Sequence, residues 1–189
     1  MSLIKVKGSS ITGALAAVDG SALTGVSAET NSPYFDIKLG SNATNKNNNT
    51  WYYLGYSSGF GTGVNENVGS GWDNSQGYFQ APQAGRYYFY IKQGCYGSTT
   101  HSGYDIAFSK LQKASAGSTS FSDISGYPSC RSGCRPAGQG YCGDTTQYII
   151  NLASGERIIF GVHVYAGGSQ TNWQWDRDDT RWGGMFLGA

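Results

Sequence analysis

Residues 60–90, FGTGVNENVGSGWDNSQGYFQAPQAGRYYFY, decide the fold of this chain. At the end of this stretch and just beyond it, side chains alternate between two faces with the period of a β-strand. The alternating residues are Tyr87, Phe89 and Ile91 on one face and Tyr88 and Tyr90 on the other. Because both faces are aromatic or apolar, we expect one to pack in the core and the other against a second subunit.

A tight turn is predicted directly before this strand. Ala81, Pro82 and Gly85 bracket it. Proline presets its own backbone angle, and glycine tolerates conformations that other residues avoid. The sequence therefore predicts that one strand ends at Phe79 and that the next begins at Arg86.

The spacing of special residues in this stretch resembles the motif of the complement C1q-like domain, a branch of the tumour-necrosis-factor-like (TNF-like) jelly rolls. The motif runs from an Asn or Asp to an aromatic residue, then to a Phe, and ends in G-x-Y-x-F. The matching residues, with every interval kept, are Asn67, Trp72, Phe79, Gly85, Tyr87 and Phe89. Two positions depart from it: the leading Phe falls one residue early, at Phe60, and the closing aromatic position holds Ile91.

Weaker matches extend the resemblance over residues 33–189. They are PYFDI at 33–37, LASGERI at 152–158 and TRWGGMFL at 180–187. The resemblance implies an all-β, C1q/TNF-like jelly-roll sandwich over residues 31–189 that assembles as a homotrimer. It also implies that Tyr88, Tyr90 and the strand containing Phe186 lie near the subunit contacts.

The composition agrees with an all-β chain and excludes some partners. Charged residues make up 13% of the sequence, aromatics 14%, and 29 glycines suit many short strands joined by tight turns. A formal net charge of +1, with scattered Lys and Arg, predicts no nucleic-acid binding. No run of apolar residues is long enough to predict membrane insertion. Polar residues interrupt the apolar character of residues 1–17, so a signal peptide is not expected.

Residues 1–30 differ in kind from the rest of the chain. They contain no aromatic residue and no cysteine, and SITGAL at 10–15 is echoed by SALTGV at 21–26. This composition is similar to segments common in bacteriophage fibre and virion proteins. A segment of this kind cannot bury enough surface to fold alone. We expect a short, extended N-terminal attachment arm or stalk that orders against a partner; the alternative is a loose leader.

The remaining segments carry strand and loop patterns. Residues 106–111 alternate as a strand, and residues 51–56 also have strand character. Residues 148–152 and 157–165 are predicted to form a hairpin around Ser154 and Gly155. Residues 42–49 are predicted to be a polar surface loop, and residues 127–142 a long insertion on the jelly roll.

Four cysteines are the candidates for covalent or metal-bound crosslinks: Cys95, Cys130, Cys134 and Cys142. They allow three pairings into two disulfides, which would staple a glycine-rich loop that has little core of its own. The alternative is a zinc site completed by Cys95 or His101, although the spacing lacks the C-x2-C pairs of zinc ribbons. A third possibility is reduced thiols in a reducing cytoplasm.

No combination of residues predicts catalysis or a cofactor. His101 and His163 are well separated, and no serine lies in a G-x-S-x-G context. Asp176 and Asp178 are weak calcium candidates, because the loop lacks the glycine and distal glutamate of a calcium-binding loop; an ion-paired surface turn explains them more simply. We expect a protein that is not an enzyme and carries no cofactor.

Aromatic residues outside the motif are the candidate ligand-binding residues: Tyr96, Tyr127, Tyr141 and Trp173. Exposed Tyr and Trp rings stack on sugar faces and anchor protein interfaces at a small cost in side-chain entropy. Trp175 and Tyr104 fit a ligand surface and a core equally well.

These patterns together predict a non-enzymatic, trimeric component of a bacteriophage particle: a fibre tip, a spike or a capsid-decorating protein. Residues 1–30 would dock on a capsid or tail protein, and the head would face outward on the virion surface, where it could bind host glycans. The alternative is a free soluble C1q-like lectin or signalling ligand of a cell.

Overall fold

The computed structural model describes residues 33–189, except 57–59, 70, 98–103, 127–128, 137–140 and 167–172. The arm predicted for residues 1–30 lies outside the described residues, and so do His101 and Tyr127.

Every regular element among the described residues is a β-strand. The first seven are β1 (Tyr34–Leu39), β2 (Ala43–Lys46), β3 (Tyr52–Tyr53), β4 (Thr62–Val68), β5 (Trp72–Asp73), β6 (Tyr78–Gln80) and β7 (Gly85–Gly97). The others are β8 (Tyr104–Ala114), β9 (Ser122–Asp123), β10 (Cys130–Pro136), β11 (Tyr141–Leu152), β12 (Arg157–Ala166), β13 (Trp173–Trp175) and β14 (Arg181–Gly188). This part of the chain contains no helix that could span a membrane.

The strands form two antiparallel sheets. In the first sheet the neighbours run β11–β7–β14–β1–β4, and β13 and β2 extend it from the far end of β7. In the second sheet they run β10–β8–β12–β6–β5, with β3 beside β12 and β9 beside β8. The predicted all-β class is confirmed.

An aromatic core lies between the two sheets. At its centre, the ring of Phe35 stacks on Trp72, with centroids 5.4 Å apart, and on Phe79 at 5.1 Å. Phe89 and Phe160 contact the same ring from opposite sheets. Offset and edge contacts of this kind add to the apolar area that each ring removes from water.

The turn predicted before the long central strand is confirmed. β6 ends at Gln80 and β7 begins at Gly85. Gly85 has a φ of 147°, and a Cβ there would lie 2.5 Å from the Phe186 ring, so only glycine fits this position. The strands predicted at 33–37, 106–111 and 180–187 are present as β1, β8 and β14.

The hairpin predicted over residues 148–165 is wrong in its pairing. The turn is in the right place, with Gly155 at a φ of 82°. However, β11 pairs with β7 in the first sheet, whereas β12 pairs with β8 in the second. The two strands therefore belong to different sheets. Alternation predicts that each strand has a buried face. The alternating pattern is the same whether two strands pair within one sheet or belong to two sheets that pack together, so it does not distinguish these arrangements.

Two segments predicted as loops contain strands. Residues 42–49 include β2, which pairs with β13. Residues 127–142 include β10, which pairs with β8 over Cys130 to Gly133, and the start of β11. Backbone groups at a sheet edge can pair with almost any sequence, so Asn-rich and Gly-rich strands give little side-chain signal. Conversely, the strand predicted at 51–56 is reduced to β3.

Candidate functional site

The outer face of the first sheet carries a row of apolar side chains that crosses five strands. In the register, Ile149 lies opposite Tyr88, Tyr88 opposite Met185, Met185 opposite Tyr34, and Tyr34 opposite Val68. We call these five residues the apolar row. Ile149, Met185 and Tyr34 are 52%, 46% and 38% exposed, respectively. Large apolar side chains that are exposed singly are ordinary, but a continuous row is typical of an interaction surface.

A shallow groove of about 350 Å³ lies along this row. Tyr34, Tyr88 and Met185 of the row line it, together with Asp36 and Tyr90. The groove is therefore mainly apolar, with a polar group at one edge.

A hydrogen-bonded group forms that polar edge, two rungs along the sheet from the apolar row. The Tyr90 hydroxyl donates to Asp36 Oδ1 at 2.5 Å, and Arg181 Nη2 lies 3.1 Å from Asp36 Oδ2. Gly183 stands between Tyr90 and Asp36 in the register, and its missing side chain lets the Tyr90 ring cross to the carboxylate. Burial and the hydrogen bond to Asp36 raise the pKa of Tyr90, so its hydroxyl stays a proton donor at neutral pH.

The residues predicted near subunit contacts lie on different faces of the sheet. Tyr88 and Tyr90 are on the outer face, where they approach each other with centroids 6.4 Å apart. Phe186 shares a rung with Tyr87 and packs against its ring on the core side, at 5.2 Å. The outer position on β14 belongs to Met185.

Sequence reasoning missed Met185, Ile149 and Tyr34 as members of this surface. A signal was available: Met185 and Leu187 alternate with Trp182, Gly184 and Phe186 along β14, and the bulky Trp182 indicates which set faces the core.

The candidate ligand-binding aromatics separate into three groups. Tyr96 lies opposite Tyr141 in the register, and Gln174 Nε2 donates to the Tyr96 hydroxyl from the other side. Tyr127 lies outside the described residues. Trp173 is fully buried, which corrects its assignment to a ligand surface. The three residues of β13 alternate, so Trp173 and Trp175 both point into the core and only Gln174 points outward.

The residues of the C1q-like motif hold strands in place or pack in the core. Asn67 Nδ2 donates to the Trp72 carbonyl at 2.8 Å, and Asn67 Oδ1 accepts from the Trp72 backbone N–H at 3.2 Å. Phe79, Tyr87 and Phe89 are buried, and the Tyr87 hydroxyl donates to the Gln83 carbonyl at 2.7 Å. The side chain of Asn67 thus holds the strand that carries the core residue Trp72.

The aspartate turn is built by its own hydrogen bonds. The Asp178 N–H donates to Asp176 Oδ1 at 2.8 Å, and Arg177 Nε lies 3.3 Å from Asp178 Oδ1. Within the described ranges, no group of three metal-ligating side chains occurs. These contacts are those of the ion-paired turn.

His163 and the buried hydroxyl of Ser109 lie on opposite faces of the second sheet. Ser109 shares the rung of the buried Val162 and contacts Asp144 Oδ2 at 2.6 Å. His163, on the outer side, stacks on Trp51 at 5.0 Å. Burial lowers the pKa of His163, as does Lys110, while a hydrogen bond with the Asn49 backbone opposes the shift.

Comparison with known proteins gives structural likenesses and no sequence match. No family model matches the chain, and neither does any curated protein. The structure is similar to murine APRIL crystallised at pH 5.0, with a TM-score of 0.52 and 11% identity over 82% of this chain and 99% of that one. A second structure of murine APRIL, at pH 8.5, gives a TM-score of 0.51 and 10% identity over 82% of this chain and 99% of that one.

The globular domain of zebrafish complement 1qA protein gives a TM-score of 0.48 at 10% identity, over 82% of this chain and 97% of that one. At sequence identities this low, structural similarity is evidence for the fold alone. The conclusion about the fold therefore rests on the two APRIL structures. The chain has the C1q/TNF-like jelly-roll fold that the spacing of its motif residues predicted.

Proposed function

We propose that this chain is a non-enzymatic, trimeric structural or binding component of a bacteriophage particle. The observation that carries the proposal is the apolar row on the outer face of the first sheet. The APRIL-like fold supports it, because the jelly-roll resemblance found in the sequence implies a homotrimer.

A second copy of the chain is the occupant that suits the apolar row. Ile149, Met185 and Tyr34 expose apolar surface in one line. Removing this surface from water by contact with a second copy would be favourable in free energy. The Asp36–Arg181 pair and Tyr90 border the row, which gives the pattern of an apolar centre with a polar rim found at protein interfaces. A threefold arrangement of identical contacts closes on itself and leaves no row uncovered.

The bacteriophage context rests on the sequence of residues 1–30. Their composition is similar to segments of fibre and virion proteins, and they lack the aromatic residues that would build a core. In the proposal this arm docks on a capsid or tail protein and the jelly-roll head faces outward.

A host surface glycan is the ligand proposed for the head. Tyr96 and Tyr141 share a rung at the end of the first sheet away from the apolar row. Tyr96 follows Tyr88 on the same strand by eight residues, about 26 Å at about 3.3 Å per residue. A trimer contact at the apolar row would therefore leave this pair for a ligand, and tyrosine rings suit the apolar faces of sugars.

Light scattering of wild type and of Met185→Glu tests the trimer. Wild type should have three times the 20.2 kDa chain mass. Glu at position 185 would place a charge in an apolar contact, so this variant should dissociate to monomer while its circular dichroism spectrum is unchanged. Ser122→Glu, at an exposed position on β9 of the other sheet, is the matched control and should remain trimeric. A monomeric wild type would contradict the proposed trimer.

Immunogold electron microscopy of the parent phage particle tests the placement. Antibody against the head should label one type of site on every particle. A chain that binds an immobilised glycan but never labels a particle would instead support the soluble lectin or signalling ligand.

A further inference from the structure

A cavity of about 520 Å³ lies at the end of the first sheet, beside the apolar row and on the same outer face. Arg86 precedes Tyr88 by two residues on β7, so its side chain is on the outer side. Asn151 lies opposite Arg86 on one side, and Gly188 lies opposite it on the other. The residues that line the cavity are Gly85, Arg86, Asn151, Leu187, Gly188 and Ala189.

Arg86 is the charged group of this cavity. Its side chain is exposed, and within the described part of the chain its guanidinium makes no hydrogen bond and no ion pair. By contrast, the guanidinium groups of Arg157, Arg177 and Arg181 all have partners. No acidic side chain is among the described residues that line the cavity. The positive charge of Arg86 is therefore uncompensated, and its N–H donors are available to a ligand.

The rest of the lining offers both polar and apolar contacts. Asn151 is exposed, and its amide can donate and accept hydrogen bonds beside Arg86. Leu187 is 48% exposed and supplies an apolar wall. A Cβ at Gly188 would meet no atom within 4 Å, so the space next to Arg86 is open. Small-molecule sites typically combine apolar surface with a few polar groups that fix orientation, in volumes of about 300–1,000 Å³.

We propose that this cavity binds a sugar acid, that is, a sugar that carries a carboxylate group, such as a hexuronic acid. A guanidinium group matches a carboxylate because two parallel N–H donors meet its two oxygens. The Asn151 amide would then bond to hydroxyl groups of the sugar, and the Leu187 side chain would contact an apolar face of its ring. Inorganic phosphate also pairs with guanidinium, but it is too small to fill the cavity and has no apolar surface for Leu187.

The site goes beyond the proposed function, because it is separate from the tyrosine pair to which that proposal assigns a glycan. Tyr96 is at the other end of β7, ten residues from Arg86, or about 33 Å at about 3.3 Å per residue. Cys95, next to Tyr96, is a buried thiol outside any disulfide and does not line the cavity. All the lining residues come from one copy of the chain, so binding does not require the trimer.

Nuclear magnetic resonance of the full chain tests the site through the arginine Nε–H signals, of which the sequence allows six. The signal that is missing in Arg86→Gln identifies Arg86. Glucuronate should shift this signal with a Kd on the order of 1 mM, the weak affinity expected of a ligand of this size. Glucose has no carboxylate, and acetate and inorganic phosphate have no sugar ring. Each of these three should bind roughly tenfold more weakly or less.

The backbone amide signals of Leu187 and Gly188 report the same titration in the variants. Arg86→Gln should weaken glucuronate binding by roughly tenfold or more, because a charged hydrogen-bonded pair is lost. Arg86→Lys keeps the charge without the two parallel donors, so its affinity should lie between the two. Arg177→Gln removes an exposed arginine that pairs with Asp178, and as the matched control it should bind like wild type.

The mass in light scattering and the circular dichroism spectrum should be the same in wild type and in these variants, which shows that the fold and the assembly are intact. Equal glucuronate affinities of wild type and Arg86→Gln would overturn the proposal. Equal affinities for glucuronate and acetate, or for glucuronate and phosphate, would also overturn it, because they would show an anion contact without a sugar site. A wild type that is monomeric but binds glucuronate would contradict the proposed trimer and leave this site standing.

Discussion

At the scale of the residue, Asn67 shows what one motif position contributes. Its side-chain amide pairs with both backbone polar groups of Trp72, a residue that is only 3% exposed. A buried backbone group that loses its partner costs more free energy than an exposed bond contributes. This explains in physical terms why a short polar residue stands five positions before the aromatic one.

We expect Asn67→Ala to lower the free energy of unfolding by about 1–3 kcal/mol, because it leaves both Trp72 backbone groups unpaired. Denaturant unfolding followed by tryptophan fluorescence measures this. Asn67→Asp keeps an oxygen that accepts from the Trp72 backbone N–H, so this variant should lose less stability than Asn67→Ala. Asn151→Ala, at an exposed position on β11, should leave the stability unchanged. An equal loss in the Asn67 and Asn151 variants would show that the paired hydrogen bonds do not matter.

Tyr90 should make the stability fall at alkaline pH. Its folded pKa is raised above the ordinary value of 10.0 by burial and by Asp36. Between these two values the folded chain holds a proton that the unfolded chain has released. The free energy of unfolding is therefore undiminished below pH 10 and falls as pH rises beyond it.

The measurement for Tyr90 is the Tm of wild type and of Tyr90→Phe from about pH 8 to about pH 11. Wild type should lose more stability than the variant over the upper part of this range. Tyr34 and Tyr87 also have raised pKa values, but they are present in both proteins and cancel in the comparison. Parallel Tm curves would mean that Tyr90 ionises normally.

At the scale of the element, β14 depends on a glycine where it lies between β1 and β7. A Cβ on Gly183 would lie 2.4 Å from the Phe35 carbonyl oxygen and 2.6 Å from Tyr90 Cε1. The carbonyl belongs to the strand backbone and cannot move without disturbing the ladder, so the clash cannot be relieved by a side-chain rotation.

Gly183→Ala should therefore destabilise the chain by about 1–3 kcal/mol. It should also displace Tyr90 from Asp36, which would make one more tyrosine ionise near its ordinary pKa in a spectroscopic titration. Gly61→Ala is the matched control, because no atom lies within 4 Å of a Cβ there. If both variants melt together, the close approach at Gly183 is not limiting.

At the scale of the whole molecule, the proposal assigns assembly and attachment to different parts. The apolar row belongs to the jelly roll, and residues 1–30 are the proposed attachment arm. The two functions should therefore separate when the arm is removed.

A chain that begins at Ser32 should keep the trimeric mass of the full chain in light scattering and lose its association with the particle. Both chains are measured in parallel, at the same protein concentrations, since assembly follows mass action. If the full chain is trimeric and the shortened one is monomeric, residues 1–30 are the trimerisation stalk and the apolar row has another role.

Local features of this fold could be predicted from the sequence. Period-2 alternation identified β7, β8 and β12, because the side-chain direction in a strand depends only on its own backbone. The turn before β7 was predictable because Pro82 and Gly85 restrict or permit particular backbone angles by themselves. The resemblance of the motif from Asn67 to Phe89 to the C1q-like domain, with the weaker matches at 33–37, 152–158 and 180–187, predicted the jelly roll.

The candidate site was predictable only in part. Alternation put Tyr88 and Tyr90 on one face of β7, and the resemblance to the C1q-like domain implied that this face lies near the subunit contacts. Phe186 and Trp173 were misjudged in orientation or exposure, because an aromatic residue suits a core and a surface equally well in sequence. Met185 and Ile149 became part of a surface only when the register set them on either side of Tyr88.

The sequence by itself thus determined strands β1, β7, β8, β12 and β14, the turn before β7 and, through the resemblance of its motif to the C1q-like domain, the fold class. Tertiary structure alone decided that β11 and β12 lie in different sheets and that an apolar row crosses five strands. The physical reason is that the alternation within each strand is set by neighbouring residues, whereas the partner and register of a strand are set by long-range backbone pairing.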